Sequence, residues 1–590
     1  MTSDDRVRAL EAAIRALRER NEVLELDREL LGTRVGDLEK RVVMLKRELD
    51  KTAKQAAKQV KAAQAASVSP VRKAARRLRR GAAKGRRAPS AEASPPAPSR
   101  SELQLRRPSD AARSRLRVVG VLDTMSAECF AESVDLILPT PTKIDQAFAE
   151  NEVDLVLIES AWQGNGGTWQ YKVGTYSKPE SQTLPHVRRL VDAARRRGIP
   201  TVFWNKEDPV HFVKFAEAAR LCDYIFTTDA DRIGAYRALR GGVKLVDAFS
   251  FSAQPSLHNP IGGAERLSSP VFAGTFYQRR HVSRQGSLRM LLEAAAPFGL
   301  VIYDRQHGKG QDGYDFPDTV AGHVKGGLPY AELLAEYKRH KVFLNTNSVT
   351  ASPTMFSRRV FELLACGTPV VSTPSRGMEL IFGDLVDSVT SSEEATVAIK
   401  RLVEDQDHWL RRSRLGMREV LLNHTYAHRL QQIATTIGLG SLDAGPSVAL
   451  VLSEHDDLRD AGRLLASARG IREVAVPRSV SAEAVDALVR TAQPGRVVTY
   501  EPGRGPGAAT VVSSEWIVGT SGLGGNAEVL TDLAVATSYA PGDAVVVRPG
   551  TPYAESFREV SVTASDGVAR RTAGVREARP SDDALLVWAG

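Results

Sequence analysis

The first fifty residues repeat hydrophobic side chains at alternating spacings of three and four. Counted from Val7, every d position of these heptads is leucine: Leu10, Leu17, Leu24, Leu31, Leu38 and Leu45. Four of the seven a positions are β-branched, and Asn21 occupies another. β-Branched a residues with leucine at d favour a parallel two-stranded coiled coil, and a buried asparagine fixes its register. We therefore predict a coiled coil over residues 1–66 that forms a homodimer through residues 5–50.

Positive charge is concentrated in the segment that follows. Residues 51–117 contain 19 Lys and Arg against 3 Asp and Glu, a net +16 in a chain whose total is +10. Nine of these charges lie between Val71 and Arg87, and a Pro-, Ala- and Ser-rich stretch comes after them. We assign residues 67–114 to a basic linker. It either binds an anionic membrane surface, nucleic acid or another polyanion, or is a solvated spacer, and the sequence leaves both interpretations open.

Beyond Arg117 the pattern changes to short buried strands that alternate with helical stretches. The strands of one Rossmann-like domain at 115–258 are predicted by RVVGVL, VDLVLIES, TVFWNKED, DYIFTTD and VKLVDAFSF. Those of a second, at 259–440, are predicted by PVFAGTF, LVIYDR, VFLNTN and TPVVST. A further βαβ pattern opens a small α/β domain at 446–590. The fold class is therefore α/β, with two Rossmann-like domains between the coiled coil and the small domain.

The segment SRRVFELLACGTPVVST, from Ser357 to Thr373, predicts a short helix between two buried strands. Gly367 is a typical C-terminal stop for that helix. Because residues three apart share a helix face, Arg359 and Glu362 are expected to point together near the helix start. That position, at the end of a strand, is where open α/β sheets bind ligands. A surface ion pair between the two residues is the alternative interpretation.

With the preceding phenylalanine, this segment resembles the nucleotide-binding signature of GT-B glycosyltransferases. It is most similar to the bacterial group-1-like branch that includes the spore-maturation type. Four further segments support the resemblance: WNKEDP at 204–209, SLHNP at 256–260, FAGTFYQRR at 272–280 and NHTYAHR at 423–429. The resemblance covers roughly residues 117–438. It implies two GT-B domains, with the acceptor on the first and a nucleotide-sugar donor on the second.

The resemblance also implies which residues hold the donor. Glu362 would accept hydrogen bonds from the ribose, while the helix start near Ser357 and the guanidinium of Arg359 would face the diphosphate. Gly274, which has no side chain, would let the backbone approach the donor. Asp304 ends the next strand and would frame the base. The remaining donor-binding candidates are Arg279, Arg280 and Glu379.

One position departs from the family's pattern. Many retaining GT-B enzymes have two glutamates eight positions apart; Glu362 matches the second, and Thr354 stands in place of the first. An inverting mechanism needs a base from the first domain. The catalytic candidates there follow predicted strands: Glu159, Glu207, Asp208 and His211. Trp162 and Trp169 either stack on an acceptor sugar or belong to the core.

No metal or other cofactor is expected. GT-B enzymes use no metal-binding D-x-D, and the TDAD at Asp229 and Asp231 is more typical of a helix cap than of a ligand pair. The last segment resembles the other transferase fold, the GT-A or family-2-like type, in VALVLSEHDDLRDAGRLLAS and EVLTDLAVATSYAPGDAVVV. Residues 446–590 contain no D-x-D motif. We therefore expect a degenerate domain without metal-dependent chemistry.

The sequence thus predicts a bacterial glycosyltransferase that moves a sugar from a nucleotide-sugar to a glycan, a cell-surface polymer or a protein. Two alternatives stay open: a non-catalytic coiled-coil scaffold that binds a nucleotide or polyanion, and a glycerophosphate-type transferase. No apolar run reaches the roughly 18 to 20 residues of a membrane span. The three cysteines lie far apart, which suits a reducing compartment. We expect a cytoplasmic protein, with the basic linker as the candidate for peripheral contact with the inner membrane face.

Removal of residues 1–114 is expected to convert a dimer into a monomer, because leucine fills every d site of the predicted coiled coil. Light scattering on the full-length and truncated chains measures this change. Asn21→Val is expected to keep the helix but permit mixed oligomers, since the asparagine penalises other registers. A full-length chain that is monomeric at micromolar concentration would contradict the prediction.

Overall fold

The computed structural model describes most of the chain from residue 115 onward. The described residues are 115–176, 184–239, 241–263, 266–278, 282–310, 313–440, 442, 444–492, 494–502, 508, 511–520, 523 and 525–539, with strand segments at 544–547, 555–556 and 567–571. The predicted coiled coil, the basic linker, Arg279 and Arg280 lie outside them. Those predictions therefore stay predictions.

The first domain is a six-stranded parallel sheet with helices on its faces. Its strands are β1 (Arg117–Val121), β2 (Asp135–Ile137), β3 (Leu155–Glu159), β4 (Thr201–Asn205), β5 (Tyr224–Thr227) and β6 (Leu245–Ala248), in the order β2-β1-β3-β4-β5-β6. Its helices are α1 (Thr124–Ala131), α2 (Ile144–Glu150), α3 (Pro185–Arg195), α4 (Phe212–Ala219) and α5 (Ile233–Arg237). All residues of β3 and β4 are buried, as expected for central strands covered on both faces.

The second domain repeats this plan. Its strands are β7 (Val271–Gly274), β8 (Val301–Asp304), β9 (Val324–Gly326), β10 (Phe343–Asn345), β11 (Val370–Ser372) and β12 (Asp387–Ser388), in the order β12-β11-β10-β7-β8-β9. Its helices are α6 (Val282–Ala295), α7 (Asp318–Ala321), α8 (Tyr330–Arg339), α9 (Arg359–Ala365), α10 (Arg376–Phe382), α11 (Ser392–Glu404), α12 (Gln406–Asn423) and α13 (Tyr426–Ile437). The strand order reverses between β7 and β10, and such a switch point is where doubly wound sheets bind ligands.

The third sheet is mixed. Its strands are β13 (Val448–Val451), β14 (Ile471–Pro477), β15 (Arg496–Tyr500), β16 (Trp516–Gly519), β17 (Ala544–Val547), β18 (Glu555–Ser556) and β19 (Gly567–Arg571), in the order β15-β14-β13-β16-β19-β17-β18. The first four of these neighbours are parallel, and β19 joins β16 antiparallel. The accompanying helices are α14 (Leu458–Ser467), α15 (Ala482–Ala492) and α16 (Ala527–Thr537). The GT-A resemblance of this segment stays a prediction.

A buried ion pair attaches the third sheet's helix layer to the second domain. Arg418 on α12 donates to Asp532 on α16 at 2.6 Å, and both side chains are largely buried. Apolar side chains of α12 and α16 belong to one continuous hydrophobic cluster. The domains therefore share a core rather than meeting only through exposed contacts.

The last helix of the second domain returns to the first. Arg429 on α13 is buried, and its guanidinium donates to the carbonyls of Ser250 at 2.8 Å and Phe251 at 3.1 Å. Tyr426, on the same helix, packs edge-on against Phe130 of α1 with ring centroids 4.9 Å apart. These contacts fix the chain where it crosses between the two sheets. No described helix is both long and apolar enough to cross a membrane.

His258 is buried in the same crossing region and is held in one tautomer. The backbone N–H of Gln254 donates to its Nδ1 at 2.9 Å, so the neutral ring carries its proton on Nε2, which lies 2.8 Å from the hydroxyl of Tyr330. A proton added at Nδ1 would face the Gln254 N–H. Burial lowers the pKa of His258 to about 4, from an ordinary value of 6.5, although Glu362 opposes the shift. The fold therefore requires a neutral imidazole here.

Acidification from pH 6.5 toward pH 4 is expected to lower the free energy of unfolding. In this range the unfolded chain binds a proton at His258 that the folded chain excludes, so stability is complete above pH 6.5 and falls below it. The contribution of this residue is about 3 kcal/mol, from a shift of the pKa of His258 from 6.5 to about 4. Denaturant unfolding across this range measures it, with His258→Asn as the comparison, since the amide oxygen can still accept from Gln254. An equal pH slope in both proteins would contradict the assignment.

Candidate functional site

Three charged groups, one of them fully buried and two partly buried, meet at the switch point of the first sheet. Lys206 follows β4, and its ammonium lies 2.8 Å from Asp123 Oδ2 and 3.1 Å from Glu159 Oε1. Asp123 follows β1, and its backbone N–H donates to Glu159 at the end of β3. Neighbouring parallel strands thus deliver two carboxylates and one ammonium to one edge. The cluster sits where the strand order of the first sheet reverses, between β1 and β3.

The charges of this cluster stabilise one another. Burial would raise the pKa of Asp123, but Lys206 and backbone donors outweigh burial and hold that pKa below its usual value. Burial raises the pKa of Glu159 against the opposing charge of Lys206. Lys206 is itself desolvated, yet the two carboxylates raise its pKa. Glu159 is fully enclosed, so in this structure its carboxylate positions Lys206 and Asp123 and is not placed to touch a substrate.

Glu207 is the predicted catalytic carboxylate with access to solvent. It follows Lys206 and is only partly buried. Burial raises its pKa, with Lys206 and a hydrogen bond to the Trp162 side chain opposing. His211 precedes α4 and packs edge-on against Trp162 with centroids 5.1 Å apart. Burial lowers the pKa of His211, and Lys214 adds to the shift. Its imidazole is therefore neutral near pH 7.

Asp208 has a different environment from its neighbour. Its carboxylate is buried and accepts hydrogen bonds from Asn205 at 2.8 Å, Thr227 at 2.6 Å and Tyr236 at 2.8 Å. Burial raises its pKa to about 7. The three donors occupy both carboxylate oxygens, so Asp208 shapes the loop after β4 rather than facing the cleft.

Three arginines of the second domain, Arg284, Arg305 and Arg359, lie beside the carboxyl end of β7. Arg359 donates to the carbonyl of Ala273 and, at 3.0 Å, to the hydroxyl of Tyr337. Arg284 donates to the carbonyl of Thr275 at 3.3 Å, and Arg305 follows β8. Partial burial and the charge of Arg359 lower the pKa of both Arg284 and Arg305, which Tyr277 opposes. The backbone N–H of Arg305 also donates to the carbonyl of Gly274 at 3.0 Å, so all three arginines bond to consecutive carbonyls at the end of β7.

This cluster lacks acidic partners among the described residues, and two of its donors are unused. The buried Nε of Arg284 and the buried Oγ1 of Thr275 have no hydrogen-bond partner in the described part of the chain. Buried polar groups are nearly always hydrogen-bonded, so an orphaned donor needs an explanation. Here the donors lie at the switch point of the second sheet. The geometry can therefore bind an anion with several oxygens.

Glu362 is enclosed by side chains rather than open to the cleft. It is 2% exposed and pairs with Arg358, not Arg359, at 2.7 Å. Tyr330 donates to its Oε1 at 3.2 Å and Tyr337 to its Oε2 at 3.4 Å. Burial opposes ionisation, but Arg358 overcomes it and lowers the pKa. The expected pairing of Glu362 with Arg359 is corrected to a shared contact, since both reach Tyr337.

The remaining donor-site candidates within the described residues lie in four different local environments. Helix α9 begins at Arg359, two residues after Ser357, whose N–H donates to Asn347 Oδ1 at 3.0 Å. Gly274 ends β7, where an added Cβ would lie 2.8 Å from the Phe272 ring. Asp304 is buried and accepts from the Gln306 N–H at 2.9 Å, which stabilises its own turn. Glu379 is exposed on α10 and accepts from Ser388 at 3.3 Å.

The position of the missing family glutamate connects the two domains. The Thr354 hydroxyl donates to the Thr228 carbonyl at 2.7 Å and accepts from the Ala230 N–H at 2.9 Å. Ser352 donates to Asp229 at 2.6 Å. The carboxyl edges of both sheets therefore meet here, and Thr354 serves the domain contact. Asp229 also accepts from the Asp231 N–H at 3.2 Å, as a cap does.

Several site residues were not predicted from the sequence. Asp123 and Lys206 lie far apart in the chain, and Arg284 and Arg305 follow strands without a recognisable motif. Asp123, Lys206 and Arg305 each follow the end of a strand, and that position is the signal that could have identified them. Trp169 is fully buried and donates to the Pro139 carbonyl at 2.8 Å, so it is a core residue. No group of three His, Cys, Asp or Glu among the described residues is arranged to hold a metal.

Comparisons with known proteins place this geometry in context. No curated protein sequence matches the chain. Among solved structures, a sucrose-phosphate synthase from Thermosynechococcus elongatus is 14% identical, covering 52% of this chain and 81% of that one, with a TM-score of 0.33. A UDP-forming α,α-trehalose-phosphate synthase from Burkholderia vietnamiensis is 12% identical, covering 54% and 78%, with a TM-score of 0.32.

A third similar structure is a glycosyltransferase involved in avilamycin A biosynthesis. It is 13% identical, covering 56% of this chain and all of that one, with a TM-score of 0.31. A family model gives a sharper location within the chain. Residues 282–435, which include Arg284, Arg305 and Arg359, match the glycosyl transferase-like family.

Proposed function

We propose that this protein is a glycosyltransferase that uses a nucleotide-sugar donor. The observation that carries the proposal is the cluster of Arg284, Arg305 and Arg359 at the switch point of the second sheet, within the segment that matches the transferase-like family. A diphosphate has the charge and the number of oxygens to satisfy converging guanidiniums. It would also take up the unused donors of Arg284 and Thr275.

The arginine cluster would assist the reaction as well as bind the donor. When the bond between the sugar carbon and the diphosphate breaks, negative charge develops on the departing phosphate oxygen. Guanidiniums already in position stabilise that charge without reorganising. The same cations make the empty site electrostatically unfavourable. The donor is therefore expected to bind more tightly than a neutral sugar of the same size.

Glu207 is the proposed general base. Its carboxylate is partly exposed on the first-domain edge, and burial raises its pKa toward the range in which a base works near neutral pH. It would take the proton from the acceptor hydroxyl as that oxygen attacks the sugar carbon. Lys206, fixed by Asp123 and Glu159, lies beside it and keeps the local charge balanced. His211 and Trp162 complete this wall.

We propose direct displacement with inversion at the sugar carbon. A retaining family member uses a glutamate where this chain has Thr354, whose hydroxyl is committed to the first domain. With that group engaged, the first-domain carboxylate supplies the base. No metal is assigned a role. The coiled coil and basic linker would hold two such enzymes side by side at an anionic surface.

Arg305→Gln is expected to weaken nucleotide-sugar binding by about 1.5 to 3 kcal/mol, the range for hydrogen bonds to charged groups. Calorimetric titration with UDP-, GDP- and CDP-sugars measures this loss. Arg463→Gln is the control, since Arg463 lies on the exposed face of α14, where it pairs with Asp460. Equal donor affinity in wild type and Arg305→Gln would exclude the arginine cluster as the diphosphate site.

Glu207→Gln is expected to lower kcat by about 10² to 10⁴, as for the loss of a general base, while donor affinity stays the same. Turnover of the accepted donor and the anomeric configuration of the product are the measurements. Full activity in the variant would remove Glu207 from the mechanism. A product with retained configuration would overturn the displacement with inversion.

Glu362→Gln is expected to reduce stability before it affects donor affinity. The amide would leave the Arg358 guanidinium without its charge partner, and breaking a buried pair costs roughly 3 to 5 kcal/mol, less here because Arg358 is 26% exposed. Denaturant unfolding and calorimetric titration separate the two effects. A variant of native stability that no longer binds the donor would instead support direct contact of Glu362 with the ribose.

A further inference from the structure

The loop after β3 has an unusually constrained backbone. Residues 164–167 are all left-handed, with φ values of +58°, +45°, +66° and +91°, and Tyr171 has φ +61°. Glycine occupies three of the first four positions, where this conformation is inexpensive. Tyr171 is the exception, because a large side chain is strained at positive φ. This strained residue lies in the first domain, which is the side proposed to bind the acceptor.

Hydrogen bonds from two partly buried polar side chains, Asp123 and Asn165, hold this loop in place. The Asp123 carboxylate accepts from the backbone N–H groups of Trp162 at 3.1 Å, Gln163 at 2.8 Å and Gly164 at 2.9 Å. The Asn165 amide accepts from Leu122 and donates to two carbonyls of neighbouring segments. The loop is therefore pre-organised, which lowers the entropy lost when a ligand binds.

The loop and its surroundings present an aromatic ladder, defined as Trp162, Lys214, Tyr176 and Tyr171. The Lys214 ammonium lies 5.0 Å from the Trp162 ring centre and 4.9 Å from that of Tyr176. Tyr176 packs edge-on against Tyr171 with centroids 5.2 Å apart. The ladder thus has one cation between two rings, followed by a third ring, Tyr171, which is 59% exposed.

The inner end of the ladder touches the proposed base. The Trp162 side chain lies beside Glu207, where it helps to lower the pKa of that carboxyl, and packs edge-on against His211. From Trp162 the ladder continues through Lys214 and Tyr176 to Tyr171 in the first domain, and each side chain contacts the next. A ligand whose reacting hydroxyl lies at Glu207 would therefore extend over Tyr176 and Tyr171.

We propose that the aromatic ladder binds the acceptor, and that the acceptor is a saccharide chain longer than one residue. This inference rests on the proposed transferase function. Sugars offer an apolar C–H face that stacks on aromatic rings, and hydroxyls that bond to groups such as the exposed Tyr171 hydroxyl and the Lys214 ammonium. Trp162, beside Glu207, is sufficient to bind a single sugar. Tyr176 and Tyr171 would contact a saccharide only if further sugar residues follow the first one.

The strain at Tyr171 favours a binding role over a structural one. Its ring is largely in solvent, so it adds little to the core. A glycine would adopt the same backbone at lower energy. Strain that the fold does not need is typical of functional positions. The tyrosine is therefore expected to be replaceable without loss of stability but not without loss of ligand.

The test is an array of synthetic and bacterial glycans, from monosaccharides to octasaccharides, probed with full-length protein without donor. For at least one glycan series, affinity is expected to rise with chain length. Tyr171→Gly is expected to weaken the longest bound glycan about tenfold while Tm is unchanged or raised. Tyr171→Phe keeps the ring and most of the affinity. Val397→Ala, at a residue 66% exposed in the second domain, is the control and changes neither.

Each outcome decides the proposal. No length-dependent binding in any series, or length dependence that survives Tyr171→Gly, overturns it, as does a fall in Tm that matches the fall in affinity. Binding of monosaccharides as tightly as of chains overturns it as well. Donor titration is a separate measurement. A protein that binds glycans through the ladder but no nucleotide-sugar refutes the transferase function and leaves the ladder standing, and the reverse result refutes only the ladder.

Discussion

Repulsion among converging guanidiniums is the constraint on which the proposed site depends. Arg284, Arg305 and Arg359 all bond to carbonyls at the end of β7, and desolvation together with the charge of Arg359 lowers the pKa of Arg284 and Arg305. No described carboxylate pairs with them, although Glu362 lies one helical turn from Arg359 and has Arg358 as its partner. Like charges placed near one another disfavour each other, so an anion bound among them would be stabilised. The proposed donor site rests on this arrangement.

The charged cluster of the first domain, formed by Asp123, Glu159 and Lys206, contains both signs of charge. Two carboxylates and one ammonium share a small buried volume, and the ammonium keeps the cluster near neutrality. That balance leaves Glu207, the next residue in the chain, as the accessible carboxylate. The same Asp123 also anchors the loop that carries the aromatic ladder. One buried group therefore supports both the charge balance and the shape of the acceptor surface.

Much of the architecture could be predicted from the sequence. Alternating buried strands and helices indicated two Rossmann-like domains, and the structure contains two six-stranded parallel sheets with a third sheet after them. The pattern also located the helix containing Arg359 and Glu362, since its apolar periodicity is local. Their partners depend on tertiary packing. Neither the burial of Glu362 beneath Tyr330 and Tyr337 nor its pairing with Arg358 can be read from residue spacing.

The site residues that sequence reasoning missed share one property: their role arises only after folding. Asp123 and Lys206 are brought together by the parallel pairing of β1, β3 and β4. Thr354 looked like a simple loss of a sugar-binding glutamate, yet its hydroxyl joins the two domains. Asp208 and Glu207 are adjacent in sequence but differ in burial, because one points into the domain and the other toward its edge.

A structure determined with a bound nucleotide-sugar tests the central claim most directly. The account predicts diphosphate oxygens within hydrogen-bond distance of Arg305 and Arg359, with Arg284 Nε and Thr275 Oγ1 no longer unpaired. The sugar would then face Glu207 across the cleft. A nucleotide-sugar bound elsewhere, with no diphosphate oxygen within hydrogen-bond distance of the three guanidiniums, would contradict it.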